Sequence, residues 1–272
     1  MNNNKPIGVF DSGIGGLTVV KRSAANLPNE NIIYFGDTAR VPYGSKSNST
    51  VIEYSVQNTN FLLNRNVKAI VVACNTASSV AILALKEKFD VPVIGMIEPG
   101  AEMAVRTTKN KKIGVLGTRS TIDNKAYSNE IKKINASVEV FEKACPLFVP
   151  LAEEGWTDHQ ATMEIAEDYL SELRNLNIDT LVLGCTHYPI LSKVIQKVMG
   201  ENVTLIDSGI ASAEVIKKEL KQINLENNSS EKGMSEFYVS DIPTTFKSVA
   251  QLFLGRQIPD VHKVDLETFW HS

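Results

Sequence analysis

The chain has 272 residues, 43% of them hydrophobic, enough to bury a full core as one large domain or two of moderate size. Its formal net charge is −3 and its lysines are spread along the chain without a basic block, which argues against nucleic acid as the main partner and makes a small-molecule site the better expectation. No membrane span or signal peptide is expected: the first apolar run, residues 7–10, stops at Asp11, and the uncharged stretch 69–85 contains Asn75, Thr76, Ser78 and Ser79. The expected location is therefore cytoplasmic.

In chain order, short β-branched runs alternate with helical patterns. IGVF (7–10) reads as a strand ending in a glycine-rich turn, DSGIGG, that opens a helix. NIIYFG (31–36) is followed by the loop GDTARVPYGSKS, and KAIVVA (68–73) by a helix capped by Asn75 or Thr76 and running to Lys88. The runs VPVIGMI (91–97), KKIGVLG (111–117), VEVFEK (138–143), DTLVLG (179–184) and VTLID (203–207) continue the rhythm, and Pro189 suits the first turn of a helix ending near Gly200. The polar stretch 225–236 reads as an exposed loop, residues 237–239 as a strand and 245–254 as a helix. This is the pattern of parallel sheets with crossover helices.

The landmarks also repeat. GVFDSG is followed by IVVACNTAS around Cys74, and GVLGTRS by LVLGCTHYP around Cys185, at nearly the same separation. Glu98 and Asp207 then follow their cysteines at similar distances. The fold class is therefore α/β, as two pseudo-symmetric parallel-sheet domains with the active site in the cleft between them. Residues 1–97 plus 208–272 would form the first lobe and 98–207 the second. "DSGI" occurs at Asp11 and at Asp207, but the second copy aligns with Glu98 at a strand-to-helix hinge, so only Asp11 heads its half.

Cys74, Cys145 and Cys185 make an odd count with no C-x-x-C pair, so neither disulfides nor structural zinc are expected. Cys74 and Cys185 each follow an apolar strand, where α/β sheets bind ligands and where the next helix's positive end is expected to lower a thiol pKa of about 8.5. One such cysteine reads as core; two at matching points of a repeat read as a pair. Facing thiols suit inversion of a carbon centre, one thiolate taking a proton from one face while the other thiol delivers one to the opposite face. Asp11 reads as a helix cap or a site acid, His187 as a turn residue or a partner of Cys185, and Tyr43 with Gly44 as a turn or part of the site.

Through "GVFDSGIGGLTV", "YFGDTARVPYG", "VVACNTAS", "VPLAEEG" and "LVLGCTHYP" the chain resembles the cofactor-independent glutamate racemases of the wider aspartate/glutamate racemase superfamily. The resemblance implies interconversion of L- and D-glutamate for peptidoglycan synthesis, no cofactor and no metal, and a homodimer. It implies Cys74 and Cys185 as acid/base thiols, Cys74 acting on the D-isomer and Cys185 on the L-isomer. It further implies Asp11 near Cys74, His187 and Glu153 near Cys185, and Asp37 as an auxiliary acid. Ser12, Tyr43, Gly44, Asn75, Thr76, Thr118, Thr121, Thr186 and His187 match substrate-holding positions. The alternatives are a racemase of the same superfamily acting on aspartate or a related amino acid, or a two-lobed amino-acid-binding protein, which would not need both thiols.

Overall fold

The computed structural model describes residues 3–244, 246–258 and 260–266. Its strands are β1 (Ile7–Asp11), β2 (Ile32–Gly36), β3 (Ala69–Val72), β4 (Val93–Ile94), β5 (Lys112–Gly117), β6 (Glu139–Ala144), β7 (Thr180–Gly184), β8 (Thr204–Asp207), β9 (Ser235–Val239) and β10 (Val261–Lys263). They form two sheets of order β10-β9-β2-β1-β3-β4 and β6-β5-β7-β8, every pairing parallel. The order β2-β1-β3-β4 recurs as β6-β5-β7-β8, so β1 corresponds to β5 and β3 to β7. The tail adds β9 and β10 beyond β2.

Helices cover both faces of each sheet, which is why β1, β3 and β7 are buried along their whole length and show no polar alternation. The edge strand β6, EVFEKA, is only partly buried: Glu139 is exposed and Lys143 pairs with Glu172 at 2.8 Å. One apolar core runs from Val9 and Val71 of the first sheet, through Leu17 and Val20 of the helix Leu17–Asn26 and Ile216 and Leu220 of the helix Ser208–Gln222, to Leu116 and Leu183 of the second. The two sheets are thus joined by packed apolar surface. No helix among the described residues is long and apolar enough to cross a membrane.

Several local expectations are revised. The helix expected to run to Lys88 breaks at Ala81 into Asn75–Val80 and Ile82–Lys88, and its N-cap is Cys74 itself, whose Sγ accepts from the Ala77 N–H. VPVIGMI contributes only the two residues of β4 before the helix Ile97–Thr107 begins, with Pro99 in its first turn, where its missing N–H costs nothing. Pro189 lies in a 3₁₀ turn, Tyr188–Leu191, that leads into the helix Ser192–Met199. The tail helix is Phe246–Leu254, and Thr245 lies outside the described residues.

The stretch 225–236 is not wholly exposed: Leu225 and Asn227 are buried, and its last two residues begin β9. The cause is a buried ion pair. Lys68 Nζ lies 2.5 Å from Glu30 Oε2, both side chains about 2% exposed, and donates to the carbonyls of Leu225 and Asn3 at 2.7 Å each. Glu30 Oε1 accepts the Asn227 N–H at 2.7 Å. The loop therefore starts pinned.

The two "DSGI" copies behave differently. Asp207 caps the helix Ser208–Gln222 through Oδ1, which accepts the Gly209 N–H at 2.8 Å. Asp11 ends β1 and is no helix cap, because the next helix starts only after Gly16.

Candidate active site

Beyond the carboxyl ends of the strands, residues from both sheets enclose a cavity of about 320 Å³. The first half supplies Ser12 after β1, Tyr43 and Gly44 from the loop after β2, and Cys74, Asn75 and Thr76 after β3. The second supplies Thr118 after β5, Glu153 from the segment after β6, and Cys185, Thr186 and His187 after β7. Equivalent strand ends of the repeat thus bring both thiols to one space.

The glycine-rich turn after β1 is what lets the two sides approach. A Cβ on Gly15 would lie 2.3 Å from Thr186 Oγ1 and 2.5 Å from the His187 ring, so a side chain there would have to push the turn and the Cys185 loop apart. Thr18 Oγ1 donates to the Thr186 carbonyl at 3.0 Å across the same seam. On the opposite side, the hydroxyls of Thr76 and Thr118 share a hydrogen bond at 2.9 Å, and Thr121 Oγ1 stands 3.0 Å from Thr118 Oγ1. These contacts close the cavity at its flanks.

Around Cys74, Sγ donates to Ser12 Oγ at 3.6 Å and accepts from the Ala77 N–H at 3.4 Å. Burial, reinforced by the nearby Asp11 carboxylate, pushes this thiol up to about 12. That reverses the expectation of a lowered thiol pKa: one amide of a six-residue helix does not offset desolvation. Asp11 is fully buried, and its own pKa is raised by burial despite His187 and the backbone amides of Gly16, Gly13 and Ser12. Its Oδ2 accepts the Gly13 N–H at 3.0 Å, while Oδ1 lacks a well-formed hydrogen bond.

Around Cys185 the polar chain is different. Sγ lies 3.7 Å from His187 Nδ1, and His187 Nε2 lies 2.8 Å from Glu153 Oε1. Burial alone would lower the imidazole pKa, but its hydrogen bonds to Cys185 and Glu153 and their charges hold it up at about 10. Phe253 packs edge-on against the ring at 5.3 Å between centroids. His187 is therefore placed between the Cys185 sulfur and the Glu153 carboxylate, both of which favour its protonated form.

Three expected residues do not line the cavity. Asp11 stands behind Ser12 and Gly13, and Thr121 behind Thr76 and Thr118. Asp37 is buried behind Tyr43, whose phenol donates to Asp37 Oδ2; Arg40 Nε pairs with the same oxygen at 2.7 Å and Ser240 Oγ donates to Oδ1 at 3.0 Å. Five lining residues were not expected: Gly13, Val41, Pro42, Val149 and Pro150. All lie within the stretches "GVFDSGIGGLTV", "YFGDTARVPYG" and "VPLAEEG", and apolar letters in a loop after a strand were the only available signal. Among the described residues no group of three or more His, Cys, Asp or Glu is arranged to hold a metal ion.

Residues 17–216 match the model of the Asp/Glu/Hydantoin racemase family. A glutamate racemase of Geobacter metallireducens is 51% identical, with 97% of each chain covered. The crystal structure of glutamate racemase from Francisella tularensis, in complex with D-glutamate, superposes with a TM-score of 0.91 at 40% identity, covering 98% of this chain and 100% of that one. The Escherichia coli glutamate racemase, in complex with L-glutamate and the activator UDP-MurNAc-ala, superposes with a TM-score of 0.78 at 29% identity over 96% of this chain and 98% of that one.

Proposed function

The chain belongs to the Asp/Glu/Hydantoin racemase family and, within it, to the glutamate racemases, and on that premise we propose that it interconverts L- and D-glutamate by two-thiol acid/base catalysis at Cys74 and Cys185. One observation carries the mechanism: two thiols, reached from equivalent strands of a repeated sheet, line one cavity. Proton removal from one face of the α-carbon by one sulfur, with delivery to the other face by its counterpart, inverts the centre. Cys74 serves the D-isomer and Cys185 the L-isomer.

The surroundings support the following roles for the remaining residues. Cys74 rests as a neutral thiol, which is the form that delivers a proton; a bound ammonium group nearby would ease its ionisation, as positive charge does for any thiol. Asp11, buried behind Ser12 and Gly13, acts through its charge on the bound ammonium and on the exchanging thiol proton. On the other side His187 passes protons between Glu153 and Cys185. Asn75, Thr76, Thr118 and Thr186 supply neutral donors suited to carboxylates, and Ser12, Tyr43 and Gly44 line the same cavity. Asp37 acts at one remove, by fixing the Tyr43 phenol. The proposed division into a lobe of residues 1–97 plus 208–272 and a lobe of 98–207 is supported by the separation of the strands into two sheets.

We further propose a cytoplasmic homodimer that supplies D-glutamate for peptidoglycan and uses neither cofactor nor metal. The muramyl nucleotide bound to the Escherichia coli relative supports the cell-wall role. In heavy water, product formed early from either enantiomer should carry deuterium at the α-carbon, while recovered substrate carries little. Cys74→Ala and Cys185→Ala should each lower racemisation at least about a hundredfold. Early product that retains the substrate's proton, or near-normal turnover by either variant, defeats the mechanism. Comparable turnover of aspartate defeats the choice of substrate.

A further inference from the structure

Asn75 stands at the back of the cavity, next to Cys74, and its amide could present either its oxygen or its nitrogen to a ligand. Two buried hydroxyls decide. Tyr127 Oη donates to Asn75 Oδ1 at 2.7 Å, and Asn75 Nδ2 reaches Ser208 Oγ at 3.4 Å, while Ser208 Oγ itself donates to the Leu183 carbonyl at 3.3 Å. With Oδ1 occupied and one Nδ2 hydrogen directed at Ser208, what remains for the cavity is the second Nδ2 hydrogen, a donor.

The phenol is seated for this task. Tyr127 is fully buried, in the first turn of the helix Ala126–Ile134, and its ring lies between two glycines whose missing side chains make room for it. A Cβ on Gly100 would come within 3.0 Å of the phenol oxygen, and one on Gly184, the residue before Cys185, within 3.0 Å of the ring. Burial pushes the phenol pKa well up, so the hydroxyl stays protonated and remains a donor at any physiological pH. The bond also crosses the molecule: Tyr127 belongs to the unit of the second sheet, Asn75 to that of the first.

We infer that Tyr127 is a positioning residue for substrate: its hydroxyl fixes the Asn75 amide with Nδ2 toward the cavity, so that Asn75 selects a carboxylate group of glutamate as a hydrogen-bond donor. The inference rests on the proposed racemase reaction and adds to it a residue that touches no substrate. Without the phenol, Asn75 is free to turn its oxygen toward the anion, which repels it.

Steady-state kinetics with D-glutamate on the parent, Tyr127→Phe, Asn75→Ala and the double variant test this, with melting temperatures measured alongside. Tyr127→Phe should raise KM about tenfold and change kcat less than about twofold, because the interaction serves ground state and transition state alike. Added to Asn75→Ala, it should raise KM no further. Installing 4-aminophenylalanine at 127, which keeps a donor at the same place, should restore KM. An unchanged KM in Tyr127→Phe, or the same rise in the Asn75→Ala background, overturns the inference, since a purely structural phenol would lower the melting temperature in both backgrounds with no dependence on Asn75. In the parent protein the Tyr127 hydroxyl proton should be visible by NMR as a slowly exchanging resonance with a cross-peak to the Asn75 amide. Its absence overturns the inference whether or not the variants fold. A parent that turns over neither enantiomer defeats the racemase reading, and the NMR measurement then judges the Tyr127 contact by itself.

Discussion

The charge of His187 is set by its neighbours. Its pKa of about 10 in the folded protein, against about 6.5 when unfolded, means that protonation favours the fold. The stabilisation is complete below about pH 6.5, declines as the unfolded chain loses its proton, and is gone once pH passes about 10. Thermal melts of the parent and His187→Asn from pH 6 to about pH 10.5 should therefore show a gap that is widest at the acid end and closes toward the alkaline end. A gap that widens with pH would mean the imidazole is held neutral. The buried thiols Cys74 and Cys145, both pushed up to about 12 by burial, act in the same direction at higher pH: the unfolded chain ionises first, so stability falls as pH rises above 9. At this scale the sequence singled out Cys74, Cys185 and His187 by motif and repeat. It did not show their protonation, because burial and the Glu153 contact come from distant parts of the chain.

Among elements, the turn after β1 and the start of the tail loop make opposite points. The turn's glycines read in sequence only as a turn that opens a helix, but Gly15 serves to bring Thr186 and His187 close, a contact between residues far apart in the chain. Gly15→Ala should lower kcat/KM at least about tenfold while lowering stability by only about 1–3 kcal/mol, since the clash falls on the site loop and overpacking costs of that order. Activity close to the parent's would show that the turn yields without disturbing His187. The tail loop looks solvated in sequence, yet the Lys68–Glu30 pair holds its first residues inside. Lys68→Met leaves Glu30 buried and unpaired and should cost about 3–5 kcal/mol of stability, with much of it recovered in Lys68→Met/Glu30→Leu and with kcat unaltered in both. Denaturant unfolding measures the first two and racemisation the third. Polar composition cannot distinguish an exposed loop from one whose backbone satisfies a buried ion pair.

For the whole molecule, the repeat explains why one cavity receives two like groups. Two copies of the order β2-β1-β3-β4 deliver a cysteine one or two residues past β3 and β7, Cys74 in one copy and Cys185 in the other, to a shared space. The environments then diverge: Ser12 and Asp11 beside one thiol, His187 and Glu153 beside the other. On the proposed two-thiol mechanism, asymmetric partners on a symmetric frame let each sulfur exchange its proton by its own route. Dialysis against a chelator and treatment with a carbonyl reagent should leave racemisation intact; loss restored by metal or by pyridoxal phosphate would overturn the cofactor-free mechanism.

By itself the sequence determined the α/β class, the repeat, the two thiols and most of the residues around them, because strand periodicity, glycine turns and motif spacing are local properties written in consecutive residues. Only the tertiary structure decided that Cys74 caps its own helix with a raised pKa, that Asp11, Asp37 and Thr121 stand behind the cavity wall, and that Val149 and Pro150 join it. It also decided that Tyr127 reaches Asn75 across the molecule. Each of these depends on burial or on contacts between segments remote in the chain, and desolvation and through-space hydrogen bonds leave no periodic mark in the order of residues.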